Sequence, residues 1–105
     1  MRSILALLLL APALCLAEPR AESGGGYVPP NGLVPDARTA IAIAVAIWKP
    51  IYGAKQVESQ RPFKATLVQG VWHVEGSLPR GTVGGVAEAR ISKTDGRVVY
   101  VMHGM

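Results

Sequence analysis

The stretch VAEARISKTDGRVVYVMHG, residues 86–104, decides the fold. Its first half alternates: in a strand over 86–92, Ala87, Ala89 and Ile91 fall on one face and Glu88 and Arg90 on the other. Thr94, Asp95 and Gly96 then read as a three-residue hairpin loop with Gly96 in the left-handed conformation. That loop pairs Lys93 with Arg97, and hence Ile91 with Val99. The same register sets Val101 beside Ala89 and His103 beside Ala87, and leaves Tyr100 and Met102 on the face of Arg90 and Glu88. A two-residue loop would exchange the faces, so the loop length carries the assignment.

Two further strands precede this hairpin. Phe63, Ala65 and Leu67 alternate with Lys64 and Thr66, and Gln69 and Gly70 form a tight reversal. A strand over 71–78 follows, with Trp72, Val74, Gly76 and Leu78 on the core face and His73, Glu75 and Ser77 opposite. Residues 79–85 form a loop whose Gly81, Gly84 and Gly85 permit unusual backbone angles and close approach to another segment.

Ahead of the strands, residues 36–48 are nearly all Ala, Ile and Val after the first turn, and Pro35 and Asp36 are suited to a helix start. Ile41, Ile43, Val45 and Ile47 alternate with Ala as a strand would, but the Ala content and the length favour a helix buried on most sides. Pro50 is expected to end or kink it at Lys49, with Gly53 closing the turn after Tyr52 and a short helical turn over 54–59. The expectation is an α+β domain. One main N-terminal helix packs on a four-stranded antiparallel β-meander, because neither layer has another apolar surface to cover it.

A chain of 105 residues with 50% hydrophobic content supplies one small core, which excludes a multidomain enzyme. Arg2 followed by an apolar run over residues 4–16 reads as a secretory signal peptide, cleaved after Ala17, and the run is shorter than the roughly 20 residues a spanning helix needs. Residues 18–35, rich in Gly and Pro, read as a linker, and the domain proper as 36–105. Localisation follows as periplasmic or secreted. The one cysteine, Cys15, lies within the signal, so no disulfide framework is available and packing must hold the domain. The net charge of +4 is not gathered into a basic stripe, which argues against a nucleic-acid partner.

Few residues invite chemistry. His73 and Glu75 lie two apart on one strand face, close enough for a base and its orienter, but an exposed sheet face looks the same. Two histidines thirty positions apart give no metal spacing, and no Gly-rich segment sits between a strand and a helix as a phosphate loop requires. No catalytic, metal or cofactor site is therefore expected. Trp48, Tyr52 and Trp72 suit either a cavity lining or core packing, with Trp72 assigned to the core. His103 falls on the apolar face at the rim of the sheet, and Arg61 is expected to cover the edge of Phe63.

Residues 35–104 resemble the nuclear transport factor 2 fold immunity proteins of bacterial polymorphic toxin systems. The resemblance is carried by Pro50-Ile51-Tyr52-Gly53, Arg61-Pro62-Phe63, Gly70-Val71-Trp72-His73-Val74-Glu75-Gly76-Ser77-Leu78, Gly84-Gly85, Asp95-Gly96 and His103-Gly104, in that order and spacing. It implies a small cystatin-like or nuclear-transport-factor-2-like half-cone. It also implies a non-catalytic role, in which the domain binds a cognate toxin and blocks it. On that reading His73, Glu75, Arg90 and Tyr100, with their neighbours on the polar sheet face, are the candidate contact residues. Two alternatives stand beside it. The Lys93-to-Arg97 hairpin resembles that of the peptidase-modulating PepSY domains of the periplasm, and a ligand-binding version of the fold would enclose a cavity holding an unpaired acid or histidine.

Overall fold

The structure is a computed structural model, and it describes residues 26–104. The signal peptide, its cleavage after Ala17 and residues 18–25 of the expected linker lie outside the described residues. Two helices, α1 (Ala37–Tyr52) and α2 (Ala54–Glu58), precede four strands: β1 (Lys64–Val68), β2 (Val71–Glu75), β3 (Ala87–Ser92) and β4 (Val98–His103). The strands form one antiparallel sheet in sequential order, and α1 packs across one face of β1, β2 and β3. The fold is thus the expected helix on a four-stranded meander.

α1 starts where Asp36 caps it, its Oδ1 accepting from the Thr39 amide at 2.8 Å. Ala40, Ala44 and Trp48, spaced four apart, form its buried stripe, while Ala42, Ala46 and Pro50 face solvent. The helix is buried along a stripe with half-buried flanks, not on most sides. Alanines on both facing surfaces, Ala40 and Ala44 against Ala87 and Ala89, leave room for Trp48 to fill the gap, fully buried, with Phe63 at 5.6 Å. Burying a side chain of that size stabilises the domain by about 3 kcal/mol.

Contrary to expectation, the helix does not end at Lys49. It runs through Pro50 to Tyr52. Pro50 removes a single bond, the one to the Ala46 carbonyl, and Ala46 is exposed, so water can satisfy that oxygen. The next turn is intact, with the Gly53 amide donating to Lys49 O at 2.8 Å and Gly53 at φ 95° as the cap.

Three other expectations are corrected. The second strand ends at Glu75, and Leu78 is exposed instead of in the core. Past Glu75 the chain is drawn off the sheet, because the Ser77 amide donates to Gln60 O and the Ser77 hydroxyl to Pro62 O. In the last hairpin, Ala87, Glu88, Ala89 and Arg90 pair with His103, Met102, Val101 and Tyr100 as expected, but Ile91 pairs with Val98 and Val99 is bulged out. Lys93 does not pair with Arg97, because its main chain is engaged elsewhere. Its amide donates to Gly70 O and its carbonyl accepts from Val34 N. Ser92 N meets Arg97 O instead, and the bulge absorbs the extra residue.

Residues 32–34, at the end of the stretch read as a linker, are bound to the domain. Leu33 and Val34 donate to Thr94 O and Lys93 O, Val34 is buried, and its carbonyl accepts from Trp72 Nε1 at 2.8 Å.

Candidate functional site

The sequence-derived candidates fall into two regions. The first is the sheet face turned away from α1. Because side chains alternate, it carries Lys64, Thr66 and Val68 of β1, Val71, His73 and Glu75 of β2, Glu88 and Arg90 of β3, and Tyr100 and Met102 of β4. Register aligns Thr66, His73, Arg90 and Tyr100 in one row across the strands and Lys64, Glu75, Glu88 and Met102 in the next. All four candidate contact residues, His73, Glu75, Arg90 and Tyr100, therefore share one surface.

Arg90 organises that surface. Its guanidinium lies 4.4 Å from the centre of the Tyr100 ring, and its Nη2 donates to Glu88 Oε2 at 3.3 Å, while Nε is buried without a hydrogen-bond partner. Tyr100 OH reaches Met102 Sδ at 2.9 Å. Glu75 stands directly opposite Glu88, a like-charge pair that costs stability, with Lys64 on its other side. Arg90 neutralises Glu88 and leaves Glu75 exposed.

The second region is a buried polar cluster at the end of the sheet, on the α1 side. Gln60 is almost fully buried. Its Oε1 accepts from the Ala87 amide at 2.8 Å, and its Nε2 lies 2.9 Å from His103 Nε2. The Ala87 donor fixes the amide orientation, so Gln60 presents N–H to His103 and His103 Nε2 must accept. The other ring nitrogen, Nδ1, then donates to Gly104 O at 2.7 Å. Tyr52 covers the imidazole with ring centres 5.0 Å apart. Gly76 packs on the Gln60 side chain and Gly85 on the Gly104 backbone so closely that a Cβ at either glycine would overlap its neighbour. His103, which a ligand-binding version of the fold would need turned into a cavity, is spent on Gln60 and Gly104.

Most positions that carried the sequence resemblance have a structural task, although Ile51 and Leu78 are exposed. Tyr52, Gly76, Gly85, His103 and Gly104 belong to the Gln60 cluster, and Gly53 caps α1 beyond Pro50. Trp72 is in the core, and Pro62 receives the Ser77 hydroxyl. Gly84 adopts φ 137° in the loop before β3. Asp95 Oδ1 accepts from the Arg97 amide and Gly96 adopts φ 76°, which shapes the last hairpin; the Arg97 amide holds the Asp95 carboxyl below its usual range. The sequence reading missed Gln60. Its only local signal was a polar residue just ahead of Arg61-Pro62-Phe63, where polar residues are ordinary.

Outside both regions, Arg61 covers Phe63 as expected, its guanidinium 4.8 Å from the ring centre, and it also pairs with Glu58. Hydrogen bonds from Arg61, then Lys49, pull the Glu58 carboxyl down to about 2. Among the described residues no group of histidine, cysteine or carboxylate side chains is placed to hold a metal ion, no pocket is found, and no helix is long and apolar enough to cross a membrane.

Comparison with known proteins places this architecture. The chain is 34% identical over 84 residues to the uncharacterized protein YhhH of Escherichia coli (strain K12), an alignment covering 79% of this chain and 65% of that protein. The chain thus spans slightly less than two thirds of that relative's length. No solved structure matches it. A family described as NTF2 fold immunity protein matches residues 39–105, which takes in nearly all of α1, the Gln60 cluster and the whole sheet. The chain belongs to the NTF2 fold immunity protein family.

Proposed function

We propose that this chain is a non-catalytic binding domain that neutralises a toxin by direct contact, acts after export, and meets its partner through the open face of the sheet. The family match over residues 39–105 carries the toxin reading. The contact face is supported by its makeup. Arg, Tyr and Met side chains lie together there, the types that dominate protein interfaces, and no element of the described chain covers them. Binding through this face needs no pocket and no reacting group. It needs a rigid sheet that presents Arg90, Tyr100, His73 and Glu75 in fixed register.

Co-expression tests the proposal. The full chain would be produced together with a candidate cognate toxin domain, in a strain that the toxin alone kills. Expected are survival of the cells and a complex that persists through size-exclusion chromatography, both lost on Arg90→Ala and Tyr100→Ala. Export is read separately, from the N-terminus of the protein recovered outside the cytoplasm, which is expected to be Glu18. Killing that the chain leaves unchanged, with no complex, would overturn the toxin reading; protection that survives both substitutions would overturn the choice of face.

A further inference from the structure

The two edges of the sheet are unequal. β1 begins with Lys64, two residues after Pro62, features that discourage another strand from adding to an edge. β4 reads Val98-Val99-Tyr100-Val101-Met102-His103, with no proline, lysine, arginine or acid. Val98, Val99, Tyr100 and Met102 are all exposed, between 36% and 45%. Its one protective feature, the bulge at Val99, sits at the hairpin end and leaves Tyr100 to His103 in regular register with β3.

The phase of the β3–β4 ladder shows which main-chain groups that edge offers. The Gly104 amide donates to Val86 O, and hydrogen-bonded pairs alternate along an antiparallel ladder. Glu88–Met102 and Arg90–Tyr100 are then the bonded pairs, whereas Val101 and His103 direct their N–H and C=O groups outward. An antiparallel partner strand must bring its own outward-facing residues opposite these.

We infer that β4 pairs antiparallel with β4 of a second copy of this chain, centred on Val101, so that two sheets join into one. The strand is self-complementary in this register. Val101 meets Val101 of the second copy, with main-chain bonds exchanged between them. Tyr100 meets Met102, a ring–sulfur pairing, and Val99 meets His103. The strand carries no formal charge, so no like charges oppose one another along it, and the two-fold symmetry closes the assembly at two copies. The open faces of the two copies become continuous, with an Arg90–Tyr100 stack on either side of the seam.

Sedimentation velocity on protein purified from cells expressing the full chain tests this directly, at high micromolar concentration. The expected mass is twice that of one chain. Val101→Pro removes the outward N–H at the centre of the seam but no bond to β3, and Met102→Lys places a cation beside the seam; each is expected to halve the mass. Circular dichroism identifies a variant that has unfolded, and the other variant then decides. A monomeric parent protein, or a dimer that survives the folded variants, overturns the inference. The measurement uses this chain alone, so its failure would leave the toxin reading untouched.

Discussion

The Gln60 cluster and the Arg90 face lie on opposite sides of one sheet and treat polar groups in opposite ways. In the cluster the Gln60 amide and the His103 imidazole have specified partners: Ala87 N–H to Gln60, Gln60 to His103, His103 to Gly104, with Gly76 and Gly85 packed closely against Gln60 and Gly104. On the face Arg90 is held by a ring and by a bond of 3.3 Å, and its Nε has no acceptor. The first region is over-determined and specifies the fold; the second is under-determined and is free to specify a partner. A family signature read from turns, caps and close contacts therefore identifies the domain while saying little about what it binds.

That contrast breaks most sharply at Gly85. A Cβ there would occupy space held by the Gly104 backbone, which has no flexible end to move aside. Gly85→Val is expected to cost about 3 kcal/mol, a fall of roughly 10–20 °C in Tm by calorimetry. An unchanged Tm would show that the two segments are not in register-fixing contact. Next in size, Gln60→Leu keeps much of the volume but strands the Ala87 amide and His103, for an expected loss of about 2 kcal/mol in urea unfolding. A neutral result would mean that the cluster is apolar packing and not a hydrogen-bond device.

On the open face, Arg90→Ala is expected to change stability by no more than about 1 kcal/mol, since a cation–π contact and a partly exposed ion pair are lost together. It should nevertheless abolish toxin protection. A large drop in Tm would erase the distinction between the two regions. The smallest effect is expected at Glu58. Its carboxyl is held at about 2 in the fold against an ordinary 4.5, so its ion pairs stabilise the protein fully above pH 4.5, and that contribution is lost as the pH falls toward 2. Glu58→Gln should flatten that part of the stability–pH curve by slightly lowering stability in the neutral region while leaving it nearly unchanged near pH 2.

What was legible in the sequence was local. Alternation in residues 64–75 and 87–103 gave the strands, Gln69-Gly70 and Asp95-Gly96 gave the turns, and the distal register of the last hairpin followed from them. What was not legible depended on contacts from distant segments. Val99 bulges because residues 33–34 and 70 occupy the main chain of Thr94 and Lys93, which no hairpin rule contains. Leu78 leaves the core because Gln60 and Pro62 capture Ser77. α1 passes Pro50 because the carbonyl left without a donor belongs to Ala46, an exposed residue. On the site side, the shared face of His73, Glu75, Arg90 and Tyr100 could be read from parity alone, whereas the stacking of Arg90 on Tyr100 needed three-dimensional neighbours.

The attachment of residues 33–34 to the last hairpin also decides how the domain carries load. Leu33 and Val34 are tied to Thr94 and Lys93, and the Val34 carbonyl is tied to the buried indole of Trp72. Tension applied through the N-terminal stretch would reach the β3–β4 hairpin and the indole before it reached α1, although α1 is next along the chain. The helix is mechanically shielded by a strap of two residues, and the domain would yield to such a pull only after that strap had been peeled from the sheet.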